Sequence, residues 1–473
     1  MHRLNVSGLL RLHHRLTMPV LLLLVFISTA GVSLAQMRPA PGAVLHYRMA
    51  GFSFPKLKGA TEYTLHVYEA DHKVLLKPII TKAINENRVI ATLPAFGRKY
   101  SWQVIYQSKG RQVGKSKMQY FSVAANPYAD TSRARIVVVD SAAKYSDMLV
   151  FFDNTRTLYN MKGEPLWFVP FIKGMTDSTQ GDLRDLKITD DGTITFMTTR
   201  NVYEMDYDGH ILWKSITPDT TEKNIEQYHH EFTKLKDGRY ITMKDRWLDS
   251  AHTHCASVVM YNRNHKIVWD WNACKYLQGS TTSMHLNAFY LDLEDSALYT
   301  SYRNSCMVIR SKYPEGNIVA KYGTEKQGKA LFYYQHNCTI NSDGNLMLFN
   351  NNFDINQPIE IRNNSIPTVA IFKEPVSAAD TLEKVWEFAT KIDTLVKPMS
   401  SAGGKVDELE HGDYLVCTGL PGRVFIVTKE KQVLWNVLTQ KKDAEGWKPY
   451  PIYRTSPVRR HQLEQLIFGS PAK

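Results

Sequence analysis

The feature that most constrains this fold is an internal repeat that begins at about residue 135. Each copy reads as a strand, a polar turn of the Asp-Gly type, two further strands around a second turn, and a strand with Trp or an equivalent residue. Five copies are full, and the fragment MLVFFDNTRTLYNMKGEPLWFV lacks a first strand, which the C-terminal PIYRTSPV can supply. Repeats of this kind bury a continuous core only by stacking. The pattern predicts an all-β chain in which residues 135–473 form a six-bladed β-propeller.

The region before the repeat has a different pattern. Residues 44–123 contain short alternating runs, such as TEYTLHVYEA and YSWQVIYQ, separated by turn signals. Such runs predict a small N-terminal β-sandwich of the fibronectin-like or immunoglobulin-like type. Residues 124–134, AANPYADTSRA, are predicted to be a linker. No chemical motif stands out in this module, so we expect it to be a spacer or a docking domain.

The N-terminus resembles a targeting segment. Arg3, Arg11 and Arg15 precede the apolar run PVLLLLVFISTAGVSLA, which ends in small residues. This pattern predicts a secretory signal peptide, residues 1–35, cleaved after Ala35, with an uncleaved anchor as the alternative. No later stretch approaches the ~20 apolar residues of a membrane span. We therefore expect a periplasmic or secreted protein.

Charge and cysteine content indicate which ligands, disulfides and metal sites to expect. The formal charge of +12 is spread along the chain without a dense basic block, so anionic ligands are favoured and nucleic acid is not expected. Five cysteines in an exported chain allow two disulfides, and Cys255 with Cys274 is the closest pair in sequence. No Cys-x-x-Cys spacing occurs, so no metal site is expected. Association into a homodimer stays open.

Polar residues recur at one position of the repeat. His230, His336 and Arg184 each lie eight residues before the Gly of the first turn, and His285 occupies the matching position one residue farther out. Equivalent positions in a propeller converge on its axis, so we expect these four side chains to meet at one mouth of the channel. Arg362 and Arg454, expected near blade edges, are weaker candidates for the same mouth.

Such a group suits a tetrahedral oxyanion. Arginine and imidazolium donate hydrogen bonds to sulfate or phosphate. A neutral histidine can also be a nucleophile, and a second one a general acid for a departing phenolate. The sequence has no Walker-type glycine loop and no carboxylate cluster suited to Mg²⁺, so no nucleotide donor and no cofactor are expected.

Four segments of the repeat resemble the bacterial arylsulfate sulfotransferase family: YHHEFTKLKDGRYITM, SMHLNAFYLDLEDSALYTSYRNS, YYQHNCTINSDGNLMLFNN and GDYLVCTGLPGRVFIVTKEKQVLWN. In that family a β-sandwich precedes a six-bladed propeller. Its members transfer a sulfuryl group from an aryl sulfate donor to a phenolic acceptor through a sulfated histidine. The resemblance implies catalytic roles for His230, His336 and His285. It implies sulfate-binding roles for four further residues: Arg184, Asn287, Arg303 and His229.

One departure from the family pattern leaves the function open. The family's sulfated histidine comes from a late blade, but the matching position in the last full copy is Gly404. His411 lies in the turn of that copy, where a solvated role is expected. Another histidine then takes the sulfuryl group, the register is shifted, or the protein binds without transfer. The alternatives to a transferase are a binding or interaction module with an anion-binding mouth, and a hydrolase or lyase.

Overall fold

The computed structural model describes most of the chain after the predicted signal peptide. The described residues are 37–70, 77–129, 132–141, 143–173, 175, 183–217, 226–248, 253–277, 284–323, 330–375 and 381–469. The signal peptide prediction, residues 1–35, lies outside them. The described residues are 51% strand and 6% helix, so the all-β part of the fold expectation is confirmed.

The N-terminal region forms two sheets. The larger sheet has the order β1-β8-β6-β3-β4, with β7 paired to β6, and the smaller sheet pairs β2 with β5. Tyr63, Leu65 and Val67 alternate inward along β3 because successive side chains of a strand point to opposite faces. The strands are β1 Val44–Leu45, β2 Met49–Ser53, β3 Glu62–Glu69, β4 Ile80–Ile84, β5 Arg88–Thr92, β6 Arg98–Ser108, β7 Arg111–Lys115 and β8 Gln119–Val123.

Six further sheets follow, and the first three are antiparallel and four-stranded. Sheet one combines β10 Leu149–Phe152, β11 Thr157–Asn160 and β12 Pro165–Phe168 with the C-terminal β34 Thr455–Val458. Sheet two contains β13 Arg184–Ile188, β14 Ile194–Met197, β15 Val202–Met205 and β16 Ile211–Lys214. Sheet three contains β17 Gln227–Lys234, β18 Tyr240–Leu248, β19 Thr253–Tyr261 and β20 Ile267–Asn272.

Sheets four and five repeat this plan, and sheet six extends it to six strands. Sheet four contains β21 Leu286–Asp292, β22 Ala297–Tyr302, β23 Met307–Lys312 and β24 Ile318–Tyr322. Sheet five contains β25 His336–Ile340, β26 Leu346–Asn350, β27 Thr368–Lys373 and β28 Glu383–Ala389. Sheet six contains β29 Lys405–Glu408, β30 Tyr414–Cys417, β31 Arg423–Val427, β32 Val433–Asp443 and β33 Gly446–Pro449, and β9 Ala134–Ser141 also pairs with β32.

The first strands of the six sheets contact one another in a closed cycle. In this cycle β34 lies against β13, and the contacts continue through β17, β21, β25 and β29 back to β34. The C-terminal strand pairs with β10 in antiparallel register, Phe151 opposite Ser456. PIYRTSPV therefore supplies the missing first strand, as the sequence predicted.

Helices are short in the described part of the chain. They are the α-helices Ala273–Tyr276, Ile359–Arg362 and Leu463–Phe468 and the 3₁₀ helices Ala143–Tyr145, Glu410–Gly412 and Arg460–Gln462. Among these elements, none combines the length and the apolar character that crossing a bilayer requires.

The N-terminal sheets share a hydrophobic core with sheets one and two and with the C-terminal helix. The rings of Tyr47 and Tyr207 lie 4.5 Å apart, and Trp167 donates a hydrogen bond to the Tyr207 carbonyl. Gly51 packs so closely on Ile467 that a Cβ atom there would lie 2.6 Å from its side chain. The two parts of the molecule are therefore packed together along one apolar surface.

Candidate active site

The first strands of sheets two to five are irregular at the positions that the repeat singled out. Their pairing register shifts at Arg184, His229, Leu286 and His336, as at a β-bulge. Left-handed backbone angles occur at the same places, with φ of 56° at Asp185, 64° at His230, 59° at His285 and 59° at Asn337. Asp, Asn and His adopt this conformation more readily than other residues with side chains. Bulges re-aim side chains, and such strain collects at functional sites.

Three histidines form a continuous chain of imidazoles. His229 Nδ1 lies 2.7 Å from His230 Nδ1, and His230 Nε2 lies 3.2 Å from His285 Nε2. Both ring pairs are perpendicular, with centroids 4.8 and 5.0 Å apart. The structure thus brings together three of the predicted site residues from two neighbouring sheets.

His336 has a different environment, on the first strand of sheet five. Its Nδ1 atom lies 2.8 Å from Asn351 Oδ1 and 3.1 Å from the Tyr334 carbonyl. The Asn351 amide nitrogen donates to the carbonyls of Ser400 and Gly403, which identifies its oxygen as the acceptor. Since both partners of Nδ1 are acceptors, the proton of neutral His336 lies on Nδ1. The Nε2 lone pair accepts a hydrogen bond from the Gly403 N–H at 3.2 Å.

Burial keeps His230, His285 and His336 neutral. Burial, with the positive charge of Arg303, lowers the pKa of His285 to about 4. Burial and the charges of Arg303 and Arg454 lower the pKa of His336 to about 3. The pKa of His230 is depressed well below its usual range by burial and by the neighbouring His229 and His285. Neutral imidazoles retain lone pairs at physiological pH, which nucleophiles and bases require.

Arg303 and Arg184 lie at the edges of the histidine group. Arg303 donates to the Ser401 carbonyl at 2.7 Å, and its guanidinium lies 4.4 Å from the Tyr334 ring centroid. The Arg184 guanidinium lies 5.3 Å from the ring centroid of Tyr453, and that ring lies 6.0 Å from His230.

Asn287 and Arg362 make contacts with residues other than the clustered histidines. The buried Asn287 amide nitrogen donates to the Gln335 carbonyl at 2.7 Å, which ties sheet four to the segment before His336. Arg362 ends the short helix between β26 and β27, and its guanidinium lies 5.7 Å from the Phe353 ring centroid.

The predicted location of Arg454 was wrong. Rather than near a blade edge, it directly precedes the inner strand β34 and is only 2% exposed. Its guanidinium lies 3.3 Å from Glu231 and 3.7 Å from Asp185, and it donates to the Asn287 carbonyl. Although burial opposes the shift, these two carboxylates hold the pKa of Arg454 above its usual range. Arg454 therefore carries a permanent positive charge beneath the histidines.

Sheet six has no histidine at the matching position because a side chain does not fit there. Gly404 has φ of +114°, and a Cβ atom on it would lie 2.2 Å from the ring of Phe349. His411 belongs to the 3₁₀ helix Glu410–Gly412, and its side chain lies outside the described part of the structure.

Sequence reasoning missed Asp245, Asn351 and Tyr453. Asp245 lies opposite Gln227 in the hairpin of β17 and β18, 3.3 Å from His229 Nε2. Counting outward from the Lys-Asp-Gly turn would have placed it there. Asn351 follows β26, the hairpin partner of the strand that begins at His336, so a count outward from the Ser-Asp-Gly turn would have found it as well. Tyr453 has no such signal, because it comes from a segment distant in the chain.

The predicted pairing of Cys255 with Cys274 is confirmed, with Cα atoms 5.9 Å apart. Cys306, Cys338 and Cys417 are free thiols. One group of potential metal ligands occurs among the described residues, Asp206, Asp208 and His210. It lies at the N-terminal junction, where Asp208 pairs with Arg38 and accepts from the Tyr47 hydroxyl.

The fold and the site together define a class: an all-β protein whose buried histidines cluster beside arginines. The profile of the arylsulfotransferase (ASST) family matches residues 124–445. The chain therefore belongs to the arylsulfotransferase family, which implies a sulfotransferase enzyme.

Comparisons with individual proteins give only distant similarities. No curated protein matches the sequence significantly. A Bacteroides caccae protein of unknown function is 13% identical with a TM-score of 0.45, covering 66% of this chain and 98% of its own. The Pseudomonas aeruginosa periplasmic gluconolactonase is 10% identical with a TM-score of 0.38, covering 84% and 99%. Structural similarities this low support no conclusion about the function of this chain.

Proposed function

We propose that this protein is an exported aryl sulfotransferase that moves a sulfuryl group from an aryl sulfate to a phenol through His336. In this proposal the six sheets are the blades of a six-bladed propeller, and the N-terminal sheets are a sandwich module. The main support for the proposal is that the hydrogen-bond partners of neutral His336 place its proton on Nδ1. Because two acceptors face Nδ1, the lone pair lies on Nε2, the atom that must attack sulfur.

The reaction has two half-reactions with a proton carried between them. In the first, His336 Nε2 bonds to sulfur, the bond from sulfur to the aryl oxygen breaks, and the departing phenolate takes a proton from the His230–His285 pair. In the second, the acceptor phenol returns a proton to this pair as its oxygen bonds to sulfur and the N–S bond breaks. The negative charge of a bound sulfate ester favours the protonated form of nearby imidazoles.

Donors around His336 suit the charge on the transferred group. Attack by Nε2 displaces its hydrogen bond from the Gly403 N–H, 3.2 Å away, and this N–H can then donate to a sulfuryl oxygen. Arg303 is close enough to depress the pKa of both His285 and His336, so it can also attract a sulfate group. Arg184 approaches from the Tyr453 side. We assign sulfate binding to these groups.

The disulfide supports a location outside the cytoplasm. A disulfide between Cys255 and Cys274 is typical of proteins in an oxidising compartment. We therefore place the protein in the periplasm or outside the cell, after removal of residues 1–35.

Mass spectrometry of the acid-sensitive intermediate tests the proposal directly. The protein is mixed with 4-nitrophenyl sulfate without acceptor and quenched in base, and its peptides are analysed. We expect one burst of nitrophenolate, a sulfuryl adduct on the peptide containing His336, and steady release after phenol is added. An adduct on the peptide containing His230 would contradict our choice of nucleophile. Steady release in water alone would identify a hydrolase, and no release would favour the binding module.

A further inference from the structure

The imidazole chain ends at a carboxylate. Asp245 Oδ1 lies 3.3 Å from His229 Nε2, and the histidine and aspartate side chains are 16% and 32% exposed. His229 Nε2 is buried, and among the described residues no group meets it with good hydrogen-bond geometry. Asp245 Oδ1 is thus an acceptor at ion-pair distance from this buried nitrogen.

The carboxylate sets the direction of every hydrogen bond in the chain. An ionised carboxylate accepts only, so His229 must carry its proton on Nε2. Its Nδ1 is then a lone pair, and the 2.7 Å contact requires His230 to donate from its own Nδ1. His230 Nε2 is in turn a lone pair, and His285 donates to it from Nε2. The reverse order would set the bare Nε2 of His229 against the carboxylate.

We infer that Asp245 is a positioning residue that acts through His229 to keep the lone pair of His230 on Nε2, the nitrogen that faces His285. This inference rests on the proposed function and names the base within its proton-carrying pair. When a sulfate ester binds, His285 takes up a proton from solvent on Nδ1 as its Nε2 proton moves to the His230 Nε2 lone pair. The reverse shift returns that proton to His285 Nε2 and delivers the Nδ1 proton to the departing phenolate. The negative charge of Asp245 then stabilises the imidazolium across two rings. The arrangement is a carboxylate–imidazole relay with one additional imidazole.

Kinetics of Asp245→Asn test the role of the charge. An amide can donate to His229 Nε2 as well as accept from it, so the direction of the chain is no longer enforced. We expect kcat with phenyl sulfate to fall by about 10²-fold, as for loss of a general base, with little change in KM. Asp245→Glu should restore most of the loss. The matched control is Asp206→Asn, which removes an equivalent aspartate–histidine pair, 2.9 Å long, at exposed His210. Wild-type kcat in Asp245→Asn would overturn the inference.

Nitrogen NMR of ¹⁵N-histidine-labelled protein tests the tautomer without any substrate. The His230 signals are assigned by their loss in His230→Asn. In wild type and Asp245→Glu we expect a protonated Nδ1 and an unprotonated Nε2, and in Asp245→Asn a mixed or reversed tautomer. A wild-type His230 protonated on Nε2 would refute the relay even if Asp245→Asn fails to fold. Because this result does not depend on turnover, failure of the relay and failure of the sulfotransferase proposal are separable.

Discussion

Two regions of the molecule hold a buried neutral histidine, and their comparison separates packing from chemistry. His46, at the junction of the N-terminal sheets, packs edge-on against Tyr47, Trp167 and Phe168. Its Nε2 donates to the Tyr207 carbonyl at 3.0 Å, and burial lowers its pKa to about 4. His336 is equally buried, and its pKa is lowered for the same leading reason.

A depressed pKa therefore does not identify a catalytic histidine. His46 is surrounded by aromatic rings and satisfied by one carbonyl. In contrast, His336 has a lone pair on the nitrogen that faces a backbone N–H, with other imidazoles and two guanidiniums nearby. The partners of the ring nitrogens distinguish the two cases, and the following predictions depend on that distinction.

The largest expected effect is on turnover after replacement of His336. His336→Gln removes the nucleophile but can still hydrogen-bond to Asn351 or Gly403. We expect the rate of sulfuryl transfer to fall by at least about 10⁴-fold, as for other covalent catalysts without their nucleophile. The measurement is nitrophenolate release in the presence of phenol.

His46→Gln is the matched control for that experiment. It replaces a histidine of similar burial that contacts no part of the proposed site, and we expect near wild-type turnover below its unfolding temperature. The unfolding free energy should fall by about 1–3 kcal/mol because packing is lost. Equal loss of turnover in both variants would mean that burial alone explains the importance of these histidines.

A smaller effect is expected at His230, and its size should depend on the leaving group. Nitrophenolate leaves without protonation, whereas phenolate needs a proton in the transition state. His230→Asn is the suitable change because Asn tolerates the left-handed backbone at this position, φ 64°. We expect a loss of about 10²-fold with phenyl sulfate and a clearly smaller loss with 4-nitrophenyl sulfate. Equal losses with both esters would exclude a proton-transfer role.

The fold could be predicted as far as local patterns determine it. The repeat and its turns indicated which segments pair, and Phe151 opposite Ser456 shows that this extended to the C-terminal strand. The shared core at the junction was not predicted. It depends on Tyr47 meeting Tyr207 across 160 residues of chain, and alternation within a strand contains no information on such contacts.

The candidate site was predictable where distance from a turn determines position. His230 and His336 were found by counting back from a glycine, because hairpin register transmits position along a strand. Arg454 was misplaced since its strand belongs to a sheet whose other strands lie 300 residues earlier. Position 404 has no side chain because the Phe349 ring occupies the space, and spacing along the sequence does not show this contact.

The smallest expected effect concerns pH, and here His46 and His336 should behave alike. Each binds a proton in the unfolded chain below about pH 6.5 but stays neutral in the folded protein down to about 4 or 3. The stabilisation that each provides is therefore complete above about pH 6.5 and is lost progressively as the pH falls toward the folded-state pKa. Between about pH 7.5 and about pH 5, each should make the fold about 2 kcal/mol less stable.

Urea unfolding at these two pH values measures that contribution in wild type, His46→Gln and His336→Gln. Each variant should lose about 2 kcal/mol of the pH dependence. Asp153, whose pKa burial raises to about 7, acts in the opposite sense but is common to all three proteins and cancels in the differences. A variant with unchanged pH dependence would show that its histidine has the same pKa in the folded and unfolded states, so that burial does not depress it. For His336 that result would mean that the imidazole is protonated at about pH 5 and that its Nε2 lone pair is available only near neutral pH, whereas for His46 it would alter only the description of its packing.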